Sequence, residues 1–256
     1  MKSAIVIIGI GEVGSVIARG FLKIGYPVYP ITRDMDIKSE ASTLPDPALV
    51  VLAVGEAELD SLLAKVPEQW RSKLVLIQNE LLPPDWQKYD YTDITVASIW
   101  FEKKAGQDVK VVVPTALYGP HAHLFSDALN ALSIPNTILD SAEQLTFELV
   151  RKNYYILTSN IAGLKVPGTV ANLWNNHQDF ARSVSADIAV LQANLLPDVQ
   201  LDHEELIAAM VVAFEGDPDH QCMGRSAPAR LQRALKAAEN AHLEVPVLKD
   251  IAESIA

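Results

Sequence analysis

The chain has 256 residues, 49% apolar and 21% charged, with 12 glycines and 15 prolines, a globular composition that excludes disordered, collagen-like and disulfide-stapled classes. Its 21 basic and 32 acidic side chains leave a formal charge of −11, which repels phosphate backbones and anionic lipid, so neither nucleic acid nor a membrane is expected as a partner. The single cysteine, Cys222, can form no internal disulfide and no multi-cysteine metal site, and with no unbroken apolar run of membrane-spanning length the expected location is the cytoplasm.

Over residues 1–140 short β-branched runs alternate with helical patterns, which predicts a parallel sheet with crossover helices. Strands are expected at 4–8, 27–31, 48–54, 73–78, 95–99, 110–114 and 136–139, and their near-continuous apolar character suits a sheet covered on both faces. Beyond Asp140 the period becomes 3.6, with Leu145, Leu149, Ile156 and Leu164 on apolar stripes. Breaks at Val166-Pro167-Gly168, Leu196-Pro197-Asp198, Gly216-Asp217-Pro218 and Val245-Pro246 divide this half into four or five helices. The fold class is therefore α/β: a Rossmann-type doubly wound parallel sheet at 1–140, then an all-helical C-terminal domain at 141–256. The apolar stripes of the second domain lead us to expect a homodimer.

Gly9-Ile10-Gly11-Glu12-Val13-Gly14 stands directly after the first strand and opens the helical run 15–23. A bare GxGxxG is weak evidence, and glycines of this spacing also serve helix–strand packing alone. In this context they permit a tight turn and the close approach of a pyrophosphate to a helix start, which favours a dinucleotide site. At the end of the second strand stand Thr32 and Arg33, a hydroxyl and a guanidinium suited to a 2′-phosphate, so NADP is favoured. Asp34 and Asp36 follow, and a shift of the turn by one or two residues would bring a carboxylate to the ribose, which leaves NAD as the alternative.

Gln78-Asn79-Glu80 ends the fourth strand, where open parallel sheets bind ligands, although an asparagine there also serves as a turn former. Lys152 lies on the first helical stripe of the second half, with Ser159 nearly on its face and Asn160 about 80° round. A lone helical lysine is usually a solvated charge. His121 and His123 alternate but lack a third ligand at metal spacing, so no metal is expected. Cys222 is expected to be a small packed residue.

In chain order, the glycine fingerprint, Arg33, Asn79, Tyr118-Gly119-Pro120, Lys152 in Arg-Lys-Asn-Tyr-Tyr, Asn160-Ile161-Ala162-Gly163-Leu164 and Leu243-Glu244-Val245-Pro246 resemble the ketopantoate reductase (2-dehydropantoate 2-reductase) family over nearly the whole length. The resemblance implies a Rossmann domain and a helical domain with the active site between them. It also implies that Arg33 contacts the 2′-phosphate of NADPH, that Lys152 is the general acid, and that Asn79 and Asn160 position cofactor or substrate. The chain departs from the family at Glu80, where the family has glycine, and at Gly55, where it has lysine. It also has no acidic residue from His220 through Ala238, where the family places a substrate-binding glutamate at the start of its penultimate helix. Ketopantoate is therefore expected to be a poor substrate, and Arg225 is the candidate partner for a substrate carboxylate. The function these features imply is NADPH-dependent reduction of a small 2-oxo acid or related carbonyl. The alternative is a dinucleotide-binding sensor or partner-binding protein without turnover.

Overall fold

Ile5, Val6, Ile7 and Ile8 are β-branched or aliphatic at every position and all buried, as befits a central strand covered on both faces. They form β1 (Ile5–Ile8). With β2 (Val28–Ile31), β3 (Leu49–Leu52), β4 (Leu74–Leu76) and β5 (Thr95–Ser98) it makes a parallel set. A two-stranded hairpin of β6 (Phe101–Glu102) and β7 (Lys110–Val111) follows, and then β8 (Thr115–Tyr118) and β9 (Asn136–Ile138) return to the main sheet. The seven-stranded order is β2-β1-β3-β4-β5-β8-β9. The strand order reverses at β1, so β1 and β3 flank a topological switch point, where open α/β sheets bind ligands.

The connecting helices are α1 (Glu12–Lys23), α2 (Ile37–Thr43), α3 (Glu56–Leu63), α4 (Pro83–Gln87) and α5 (Ala122–Asn130), with a 3-10 turn at Glu68–Lys73. On one face of the sheet, Ile5, Ile7, Leu49, Val51, Val75 and Leu117 pack with Val16, Ile17 and Phe21 of α1 and Phe125 and Leu129 of α5. The helices after β9 are α6 (Ala142–Lys165), α7 (Val170–Asn176), α8 (Gln178–Leu195), α9 (His203–Gly216), α10 (Ala227–Asn240) and α11 (Pro246–Ile255).

The computed structural model describes residues 2–255 and has two compact units, Met1–Glu148 and Leu149–Ala256. The division falls inside α6, eight residues beyond the boundary expected from the change of periodicity. No helix among the described residues is long and apolar enough to cross a membrane.

Three features differ from the sequence expectation. The run at 110–114 is not a strand of the main sheet: its valines are only partly covered, Lys110 and Val111 pair with Phe101 and Glu102, and the sheet takes Thr115–Tyr118 instead. The sheet is not wholly parallel either, because β8 runs antiparallel to β5. The short hairpin returns the chain without the crossover helix that a parallel neighbour requires. Among the described residues the C-terminal half has six helices, since α7 and α8 separate at His177, which leaves helical geometry with φ −137° at a site bearing neither glycine nor proline.

Candidate dinucleotide site and buried polar helix

Register places the site. Ile8 is level with Ile31 of β2 and Leu52 of β3, so Gly9, Thr32 and Ala53 emerge together at the carboxyl ends of three adjacent strands. Hydrogen bonds from Gly9 N–H to the Ile31 carbonyl (3.0 Å) and from Ala53 N–H to the Ile8 carbonyl (2.7 Å) carry the ladder one step further. A cavity of about 890 Å³ opens there, lined among others by Gly9, Ile10, Gly11, Thr32, Arg33 and Glu58.

The three glycines divide their work. Gly9 turns the chain at φ +94°, and a Cβ there would stand 2.6 Å from the Ala53 carbonyl oxygen. A Cβ on Gly14 would lie 2.2 Å from the Gly9 carbonyl oxygen, so this glycine is needed for helix–strand packing. Gly11 has nothing within 4 Å of its Cβ direction: the protein does not require glycine there, whereas a ligand approaching the backbone does. Gly11 is also the N-cap of α1 and offers no side-chain acceptor, which leaves the first-turn N–H groups for an anion. Glu12 opens the helix and is exposed, paired with Lys103 at 3.3 Å, and Val13 packs toward the core. This chain's residues fit a dinucleotide.

Beyond β2, Thr32 N–H bonds the Met35 sulfur at 3.4 Å, and Arg33 lies on the cavity with its side chain 88% exposed. Its Nη2 is 3.2 Å from Oε1 of Glu58. Asp34 is exposed and absent from the cavity lining, while Asp36 caps α2, its carboxylate accepting from Ser39 N–H at 2.9 Å. Lys38 and Lys65 add two further cations to the lining. Sequence reasoning missed Glu58, although Gly55-x-x-Glu58 is a capping pattern: Glu58 Oε2 accepts from Gly55 N–H at 3.3 Å.

At the end of β4, Gln78 is buried and its amide donates to the carbonyls of Leu52 (2.6 Å) and Val54 (3.3 Å), tying β4 to β3. Asn79 follows, partly buried and outside the cavity lining. Glu80 has φ 59°, so the glycine-to-glutamate departure puts a side chain in left-handed backbone.

In the second unit α6 is buried along most of its circumference, polar positions included. Lys152 is 4% exposed and is not a solvated surface charge. Its neighbour Asn153 donates to Gln192 Oε1 at 3.3 Å, and Ser159 donates back to the Tyr155 carbonyl at 2.6 Å. Asn160 is held at both ends of its amide, donating to the Cys222 carbonyl (3.0 Å) and accepting from Arg230 Nη1 (2.7 Å). Arg230, one turn into α10, is buried, whereas Arg225 is exposed on the preceding segment. The basic residue that meets the Asn160 network is thus Arg230, which no local sequence signal marks. Burial pushes the Cys222 thiol up to about 11, so it stays protonated and inert.

These features define a class, an α/β protein with a Rossmann-type unit followed by a helical unit. More particularly, the fold is that of the ketopantoate reductases. A dimeric ketopantoate reductase from Staphylococcus aureus superposes with a TM-score of 0.65 at 17% identity, covering 98% of this chain and 97% of that one. A PanE/ApbA family ketopantoate reductase from Ralstonia eutropha JMP134 gives 0.66 at 14%, covering 100% and 97%. A D-mandelate dehydrogenase solved with NADH and anilino(oxo)acetate gives 0.65 at 13%, with the same coverage. At such identities the likeness is one of fold. No family model and no curated protein matches the chain by sequence.

Proposed function

We propose that the protein is an NADPH-dependent reductase of a small 2-oxo acid or related carbonyl, acting as a homodimer. The observation that carries this reading is the open face of Gly11 at the switch point of the sheet, between two glycines the fold itself requires. A bound nicotinamide would supply hydride to the carbonyl carbon. Lys152 then donates a proton to the carbonyl oxygen as negative charge develops on it. Arg33 and Thr32 hold the 2′-phosphate of the cofactor, and Asn79 and Asn160 position cofactor and substrate. Arg230, bonded to Asn160, makes that network cationic and suits an anionic substrate, with Arg225 as a second candidate for its carboxylate. The D-mandelate dehydrogenase fold neighbour, solved with NADH and an oxo-acid amide, supports the reaction class.

The test is titration with NADPH and NADH followed by a 2-oxo acid panel monitored through loss of reduced nicotinamide. NADPH is expected to bind more tightly, and Arg33→Ala to weaken NADPH selectively. Equal affinities in the parent protein would remove Arg33 from the 2′-position. A second reading, dinucleotide binding without turnover, is favoured by one observation: the Asn160 amide is engaged at both ends by the protein itself. Stoichiometric NADPH binding with no oxidation across the panel would select it.

A further inference from the structure

Glu58 lines the same cavity as Thr32 and Arg33, and it is held there from two sides. Its Oε1 faces Arg33 Nη2 at 3.2 Å, and its Oε2 accepts from Gly55 N–H at 3.3 Å at the start of α3. The helix-start bond restrains the carboxylate, while Arg33, 88% exposed against 49% for Glu58, is the freer partner. A 2′-phosphate that takes Arg33 must therefore draw the guanidinium away from a fixed carboxylate and stand near that negative charge. A 2′-hydroxyl meets the opposite situation, since the same carboxylate is an acceptor for it. The ion pair is largely exposed, so it contributes little to stability and can be exchanged for a ligand. The other charges on the cavity wall are Lys38, Lys65 and Asp36.

We propose that Glu58 is the specificity-determining residue of the adenosine pocket. It opposes the 2′-phosphate by holding Arg33 and accepts a 2′-hydroxyl, which narrows the preference for NADPH over NADH. The proposal rests on the dinucleotide reading above. Its test is Glu58→Gln, which keeps an acceptor for Gly55 N–H and removes the charge. Dissociation constants are measured by calorimetry for NADPH and NADH, and for the fragments 2′,5′-ADP and 5′-AMP, which report the adenosine end alone.

The expected result is that NADPH and 2′,5′-ADP tighten by about threefold to tenfold while NADH and 5′-AMP are unchanged or weaker. Equal shifts for the phosphorylated and unphosphorylated ligands, or no shift in either, would overturn the proposal and reduce Glu58 to a helix cap. A parent protein and variant that bind none of the four ligands overturn the dinucleotide reading itself, and this proposal with it.

Discussion

An alanine at Gly14 brings its Cβ to 2.2 Å from the Gly9 carbonyl oxygen, whereas one at Gly11 meets nothing within 4 Å beyond its own adjoining chain. The two substitutions therefore separate packing from binding. Gly14→Ala is expected to destabilise the fold by about 1–3 kcal/mol through overpacking. Gly11→Ala should cost under about 1 kcal/mol, the effect of a poorer N-cap, yet weaken dinucleotide binding by about tenfold or more. Thermal unfolding and cofactor titration of both variants check this, and unimpaired binding by Gly11→Ala would leave the fingerprint a packing motif. In the second unit, Lys152→Ala is expected to lower kcat by about 10²- to 10⁴-fold, roughly 3–5 kcal/mol in the transition state, with NADPH affinity nearly unchanged. Steady-state kinetics beside a binding isotherm distinguishes that outcome from general damage, which would lower both.

At the level of elements, α11 shows how a helix start is completed from elsewhere in its unit. Val245, just before Pro246, has no side-chain acceptor for the first-turn N–H groups. Asp187 of α8 supplies one, its buried carboxylate accepting from Leu248 N–H at 3.0 Å. Burial raises the pKa of this carboxyl, opposed in part by the backbone N–H groups of Leu248 and Val247 and by the Lys249 charge. A raised folded-state pKa means that the group favours folding most fully below the unfolded aspartate value and loses that contribution as pH rises through the folded one. Asp187→Asn should therefore flatten the fall in stability just above the ordinary aspartate range. Asp187→Ala should cost about 1–2 kcal/mol, lowering Tm by about 2–4 °C. Thermal scans across pH test both, and an unchanged profile in Asp187→Asn would show that Asp187 does not govern this slope.

For the whole molecule, the resemblance to the ketopantoate reductase family implies a substrate-binding glutamate at the start of the penultimate helix, which in this chain is α10, beginning at Ala227. It carries the buried Arg230 in its first turn. A cation cannot accept a hydrogen bond from a substrate hydroxyl, so ketopantoate turnover is expected to fall at least about a hundredfold below an ordinary kcat of about 10 per second. An assay reaching that ordinary rate would show that another residue serves the hydroxyl. The Rossmann class, the glycine turn and the helical second half were legible in the order of residue types alone. Each of these rests on contacts within a few residues: a turn needing positive φ at Gly9, alternation of apolar runs, a 3.6-residue period. Tertiary structure decided the rest. Thr115–Tyr118 displaced the more β-branched 110–114 as sheet strand because burial between neighbours outweighs intrinsic propensity. Glu58 met Arg33 only because β2 and β3 both flank β1, and Arg230 met Asn160 across 70 residues of chain only because α10 packs where it does. Such pairings depend on the path of the chain through space, and no local pattern of residue types records that path.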